Sequence, residues 1–113
     1  MNAKNHLAQT QAALEALDHE AIDRAGTTLV EALDQGGVMY TCGNGGSAAE
    51  ALHLVEEVIG CYGNRARPAR AAMCLNADPT TLTCIANEFG YENVFSRQLE
   101  ALARPEDVLI VLS

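Results

Sequence analysis

His53 and Glu57 lie four residues apart in a segment that follows Cys42-Gly43-Asn44-Gly45-Gly46-Ser47. On a helix, that spacing brings an imidazole and a carboxylate to adjacent turns of one face, where they converge on one metal ion or one substrate. A carboxylate so placed can move a proton, and a divalent ion beside it can steady an oxyanion. The glycine run offers a second chemistry. It follows the apolar stretch Val38 to Cys42 and opens a helical pattern, so it turns a strand into a helix N-terminus. Free backbone N–H groups and the positive end of a helix dipole meet there, which suits a phosphate or another anion.

Helix angles test whether the two features share a site. At about 100° per residue, Ala51, Leu52, Val55, Val58 and Ile59 gather on one arc, and Glu50, His53 and Glu57 on the opposite one. Glu56 falls off that polar stripe, so spacing selects Glu57 as the partner of His53. Two plainer readings stay open: a solvated helix face, and a tight turn with no ligand. Gly43, Gly45 and Ala48 also satisfy the loose G-x-G-x-x-A form of a dinucleotide site. That site calls for an acidic residue about 20 positions on. The nearest candidate after the next strand, Asp78, lies 33 residues past Gly45, which speaks against a dinucleotide. No Gly-Lys-Ser/Thr follows the loop, which excludes a P-loop.

The surrounding pattern alternates helix and strand. A weakly amphipathic helix runs from about Lys4 to Leu17, and Asp18 caps a second whose stripe is Ile22, Ala25, Leu29 and Leu33, stopped by Gly36-Gly37. Val38 to Cys42 reads as a buried strand, and the third helix spans about Ser47 to Ile59. A basic connection, Arg65 to Arg70, leads to a strand from Ala71 to Leu75. Asp78-Pro79 starts a short helix through Ile85, another helix covers about Tyr91 to Leu102, and an apolar strand runs from Val108 to Ser113. Strands separated by helices predict an α/β sandwich with a parallel sheet. The last strand is apolar throughout yet has no helix after it to cover it, so the chain reads as truncated.

Composition sets the limits. With 113 residues, 49% of them hydrophobic, one domain is expected. Seven Lys plus Arg against fifteen Asp plus Glu give a net charge of −8, so the long-range field repels nucleic acid and anionic membranes, and any anion site must be local. Cys42, Cys61, Cys74 and Cys84 form no C-x-x-C pair and read as buried, reduced thiols. No apolar stretch reaches membrane-spanning length, and Met1 to His6 lacks a signal-peptide core, so a soluble, cytoplasmic chain is expected.

Four motifs carry a family resemblance. They are Cys42 to Ala49, His53 with Glu56-Glu57, Ala86-Asn87-Glu88-Phe89-Gly90-Tyr91, and Phe95-Ser96-Arg97-Gln98 followed by Asp107-Val108-Leu109-Ile110. In order and spacing they resemble the bacterial phosphoheptose isomerases of the sugar isomerase (SIS) fold. The resemblance implies one SIS-like domain over residues 1–113, a Rossmann-like three-layer sandwich truncated after the third strand. Residues 1–35 would be a helical oligomerisation segment and 36–113 the strand-helix core. It implies an aldose-ketose isomerase converting sedoheptulose 7-phosphate to D-glycero-D-manno-heptose 7-phosphate, at the entry to heptose synthesis for bacterial surface polysaccharide. A cytoplasmic homotetramer with sites at subunit interfaces, often zinc-bound, is implied as well. Carried over by position, Asn44, Gly45, Gly46 and Ser47 would contact the sugar phosphate, and Asn87 and Glu88 the substrate. His53 and Glu57 would bind zinc, with Glu57 also contacting substrate as catalytic base.

The chain departs from that family at several points. Cys61 stands where the family commonly has arginine, and Glu88 where it commonly has aspartate. The family's Ser-Thr-Ser-Gly-Asn-Ser phosphate loop would begin at Ser113, and its distal glutamine and histidine lie beyond. The 113 residues alone are therefore expected to have little or no isomerase activity. A non-catalytic SIS-like group that binds the bacterial replication initiator resembles the same regions but tends to lack a working His-Glu pair. The presence of His53 and Glu57 favours the enzyme.

Overall fold

The computed structural model describes residues 2–113. Two helices come first, each started by a short polar side chain that accepts a backbone N–H. Asn2 caps α1 (Ala3–Glu15) by accepting from Asn5 N–H at 2.9 Å, and Asp18 caps α2 (His19–Asp34) by accepting from Ala21 N–H at 2.9 Å. Neither helix contains a buried residue. Leu7, Leu14, Leu17, Ile22 and Val30 are all exposed, Leu7 to 68%.

Then follow β1 (Met39–Cys42), α3 (Gly46–Ile59), β2 (Ala72–Cys74) and α4 (Pro79–Phe89). A 3-10 turn at Tyr91–Asn93, α5 (Ser96–Leu102) and β3 (Val108–Val111) complete the chain. The three strands form one parallel sheet in the order β2-β1-β3. Met39 pairs with Ala72 on one side and Val108 on the other, so β1 is central and every residue in it is buried. Alternation along β1 sends its side chains to opposite faces. On one face Thr41 Oγ1 donates to the Ala51 carbonyl of α3 at 2.9 Å. On the other, Tyr40 and Cys42 pack with Leu75 against Phe95 and Leu99, and the Tyr40 hydroxyl donates to the Leu102 carbonyl at 3.2 Å. Helices therefore cover both faces, giving the three-layer α/β sandwich that the sequence predicts. Burial pushes the Tyr40 phenol up, and the charge of Asp107 adds to the shift.

Asp107 fastens one end of the sheet. Its carboxylate accepts from Val38 N–H at 2.8 Å and from Arg104 N–H at 2.7 Å, tying the approach to β1 to the turn before β3. Those bonds hold its carboxyl below the usual carboxylate range. Among the described residues β3 pairs along one edge only, and its Leu109 and Val111 are exposed, Val111 to 63%.

Several expectations need correction. α4 does not stop at Ile85 but continues to Phe89, because Ala86 to Phe89 contain no breaker before Gly90. Asn87 and Glu88 are therefore helical. The expected helix from Tyr91 to Leu102 is broken: Asn93 and Val94 N–H groups bond three residues back, to Gly90 and Tyr91, before α5 begins at Ser96. Only Cys42 and Cys74 are buried thiols; Cys61 and Cys84 are exposed. On α3, Leu52 and Ile59 are exposed and Leu54 is half-buried, since the helix turns a neighbouring arc toward α2. Among the described residues no helix is long and apolar enough to cross a membrane.

Candidate functional site

The loop between β1 and α3 is shaped by two glycines. A Cβ on Gly43 would lie 2.7 Å from the Ser47 carbonyl carbon and 2.9 Å from the Leu112 carbonyl oxygen, so only glycine lets β1, α3 and the end of β3 meet. Gly45 precedes α3 at φ +55°, with open space around it. Ser47 N–H donates to the Asn44 carbonyl at 3.0 Å and Ala48 N–H to that of Gly45 at 3.1 Å. Among the described residues the N–H groups of Asn44, Gly45 and Gly46 have no protein acceptor. The loop thus presents free donors at the N-terminus of α3.

Two residues that sequence reasoning missed hold this loop. The Asn76 side chain, just past β2, accepts from Gly43 N–H at 3.1 Å and donates to the Gly43 carbonyl at 2.8 Å. Tyr91 donates its hydroxyl to Asn44 Oδ1. Nothing in local periodicity announces either contact, because each depends on which segments the sheet brings together.

About two turns into α3, His53 Nε2 lies 2.8 Å from Glu57 Oε1. The His53 side chain is 70% exposed and that of Glu57 is 26% exposed. Glu57 Oε2 is buried and has no hydrogen-bond partner. Glu56 is not as remote as its angle predicts. Its Oε2 comes within 3.9 Å of the same imidazole nitrogen, because a long side chain bends back across a turn. One donor atom from each of His53, Glu56 and Glu57 lies within 4.8 Å of the others.

His53, Leu54 and Glu57 line two adjoining cavities. A groove of about 520 Å³ adds Glu50 and Leu112, so the polar stripe of α3 does face one space. An apolar cavity of about 660 Å³ adds Leu29 and Leu33 of α2 and Arg67. The Arg67 guanidinium also donates to the carbonyls of Glu57 at 2.8 Å and Val58 at 3.0 Å. It thereby satisfies carbonyls in the last turns of α3 and opposes the negative end of that helix dipole.

The remaining expected residues are only partly gathered. Ser47 sits in the first turn of α3 beside the loop. Asn87 Nδ2 donates to Glu88 Oε1 at 3.2 Å, and both side chains are exposed on α4. Among the described residues no hydrogen bond joins that pair to the glycine loop, which is reached instead by Tyr91, just past α4, through Asn44. At the start of α4, the Asp78 carboxyl is held below its usual range by the hydroxyl and N–H of Thr81.

A parallel α/β sandwich with its glycine turn at the carboxyl end of the central strand places a ligand crevice where such sheets bind small molecules. The chain belongs to the SIS domain family, which it matches over residues 4–113. It is 44% identical over 108 residues to the phosphoheptose isomerase of Thiobacillus denitrificans, covering 94% of this chain and 54% of that protein. Against the phosphoheptose isomerase of Campylobacter jejuni it is 48% identical over 92 residues, covering 81% and 49%. A solved phosphoheptose isomerase from Neisseria gonorrhoeae matches with a TM-score of 0.84 at 36% identity, over 97% of this chain and 58% of its own. One from Francisella tularensis gives 0.83 at 30%, over 98% and 61%. The resemblance read from the motifs is therefore met by both sequence and structure. The chain spans about half the length of the curated relatives it matches.

Proposed function

We propose that the protein is an aldose-ketose isomerase that converts sedoheptulose 7-phosphate to D-glycero-D-manno-heptose 7-phosphate. The observation that carries this reading is the His53–Glu57 pair at 2.8 Å, on the helix that begins at the glycine loop. The free N–H groups of Asn44, Gly45 and Gly46, with Ser47, form one wall of the phosphate site at the positive end of α3. That anchor directs the carbonyl end of the sugar along α3 toward Glu57. The Glu57 carboxylate removes the proton from the carbon beside the carbonyl and returns it to the neighbouring carbon, through an enediol. Asn87 and Glu88 contact the sugar hydroxyls.

The donor set fits zinc. An imidazole nitrogen and a carboxylate oxygen, with a second carboxylate in reach, are zinc ligands of the usual kind. His53 and Glu57 would hold the ion, with further ligands from outside this chain, and a bound ion would polarise the substrate's oxygen. Residues 1–35 serve oligomerisation in a cytoplasmic homotetramer with sites at its subunit interfaces. Support for that comes from Leu7, Leu14 and Leu17, which are exposed among the described residues.

Incubating the full-length protein with sedoheptulose 7-phosphate in deuterium oxide tests the reading. Product formation with solvent deuterium at the carbon next to the carbonyl is expected. A folded full-length protein that catalyses neither conversion nor exchange would overturn it.

A further inference from the structure

β1 and β2 part company at the mouth of the glycine loop. Thr41 stands opposite Cys74, and Leu75 N–H donates to the Thr41 carbonyl at 2.8 Å. One more step of a parallel ladder would send Gly43 N–H to the Leu75 carbonyl and Ala77 N–H to the Gly43 carbonyl. Neither bond forms. The Leu75 carbonyl accepts the side-chain amide of buried Gln98 at 2.9 Å, and Ala77 N–H turns back to the Cys74 carbonyl at 3.1 Å. β2 therefore leaves the sheet while β1 still has a buried residue to satisfy.

Asn76 occupies the ladder position opposite Gly43 and supplies both missing bonds from its side chain. A carboxamide carries the same donor and acceptor as a peptide group, so it completes the rung that the β2 backbone abandons. A Cβ at Gly43 would meet the Ser47 and Leu112 backbones, so the three segments come close together at this point.

We propose that Asn76 is the positioning residue of the anion loop. By holding both backbone polar groups of Gly43, it fixes the backbone from which the N–H groups of Asn44, Gly45 and Gly46 project, and so sets the loop's affinity for a phosphate or sulfate dianion. The proposal rests on the reading that this loop binds the sugar's phosphate. Asn76 acts through Gly43 rather than by touching the ligand.

Calorimetric titration of the full-length protein with inorganic sulfate, a dianion at every pH used, tests this. Asn76→Ala is expected to weaken sulfate about tenfold, the size of one net hydrogen bond between neutral groups. Asn76→Asp separates positioning from bulk stability. At neutral pH its carboxylate has no donor for the Gly43 carbonyl and repels the anion. As pH falls toward the aspartate range, about 4, protonation restores an O–H donor beside a carbonyl acceptor, and affinity recovers relative to the unaltered protein at the same pH. Of the titratable groups nearby, burial pushes the Cys42 thiol up and Thr81 holds the Asp78 carboxyl down. The unaltered protein, measured at each pH, is the reference for these and for His53 and Cys74. Undiminished sulfate affinity in Asn76→Ala, or an Asn76→Asp variant equally weak at every pH, overturns the proposal. Failure of the unaltered protein to bind sulfate overturns the phosphate site as well.

Discussion

Nε2 of His53 lies 2.8 Å from Oε1 of Glu57, while the second oxygen of that carboxylate is buried without a partner. The two oxygens thus have different surroundings: one faces a ligand-type nitrogen and one is buried without a partner. Glu57→Gln keeps the size and the contact with His53 but removes the base. In the full-length protein it is expected to lower kcat by at least about 100-fold, with unfolding free energy unchanged within about 0.5 kcal/mol. Steady-state turnover and urea unfolding measure the two quantities, and near-normal turnover would sink the role of Glu57.

Metal binding should rank the same three side chains. His53→Ala is expected to abolish stoichiometric zinc uptake, read by titration calorimetry. Glu56→Gln costs much less, because its oxygen stands 3.9 Å from the imidazole on an exposed side chain. Equal losses in the two variants would contradict the assignment of Glu57 as the carboxylate ligand.

The glycines of the loop differ in kind. Gly43→Ala forces a methyl group into the Ser47 and Leu112 backbones, and is expected to cost about 1–3 kcal/mol of folding stability. Gly45→Ala meets open space and pays only for its positive φ, about 1 kcal/mol. Urea midpoints of the two variants check the order, and a reversal would mean that the close approach at Gly43 is not the constraint.

Acid should loosen the sheet at Asp107. Its carboxyl titrates lower folded than unfolded, because Val38 and Arg104 N–H groups bond the charged form. Its contribution to stability is therefore fully present above the unfolded carboxylate range and is lost as pH falls through the folded value. Asp107→Asn is expected to be less stable than the unaltered chain at neutral pH, with the gap closing as acid is added. Parallel unfolding curves across that range test the sign, and a gap that widens with acid contradicts it.

Local punctuation made much of the fold legible. Asp18, Gly36-Gly37, the Gly43 to Gly46 run and Asp78-Pro79 mark helix ends that the structure reproduces, and the apolar Val38 to Cys42 stretch becomes the central strand. The glycine loop and the His53–Glu57 pair were legible for the same reason, since both depend on spacing within one element. Asn76 was not, because its role appears only once Thr41 and Cys74 are in register across a 33-residue separation from Gly43. Tyr91 and Arg67 escaped notice likewise, as side chains that act on backbone or loop groups of another element. Glu57 is the nearer partner of His53, and Glu56 still comes to 3.9 Å because an angle describes where a side chain starts, not how far it reaches.

The edge strand β3 carries a colloidal consequence. Among the described residues it leaves one row of backbone donors and acceptors unpaired beside exposed Leu109 and Val111, an edge on which a further strand can pair. The opposing force is mutual repulsion between chains of net charge −8. Salt screens that repulsion and mild acid neutralises it, while neither alters the edge. The handling conditions that keep this chain dispersed are thus set by its carboxylates, at a distance from the strand that makes them necessary.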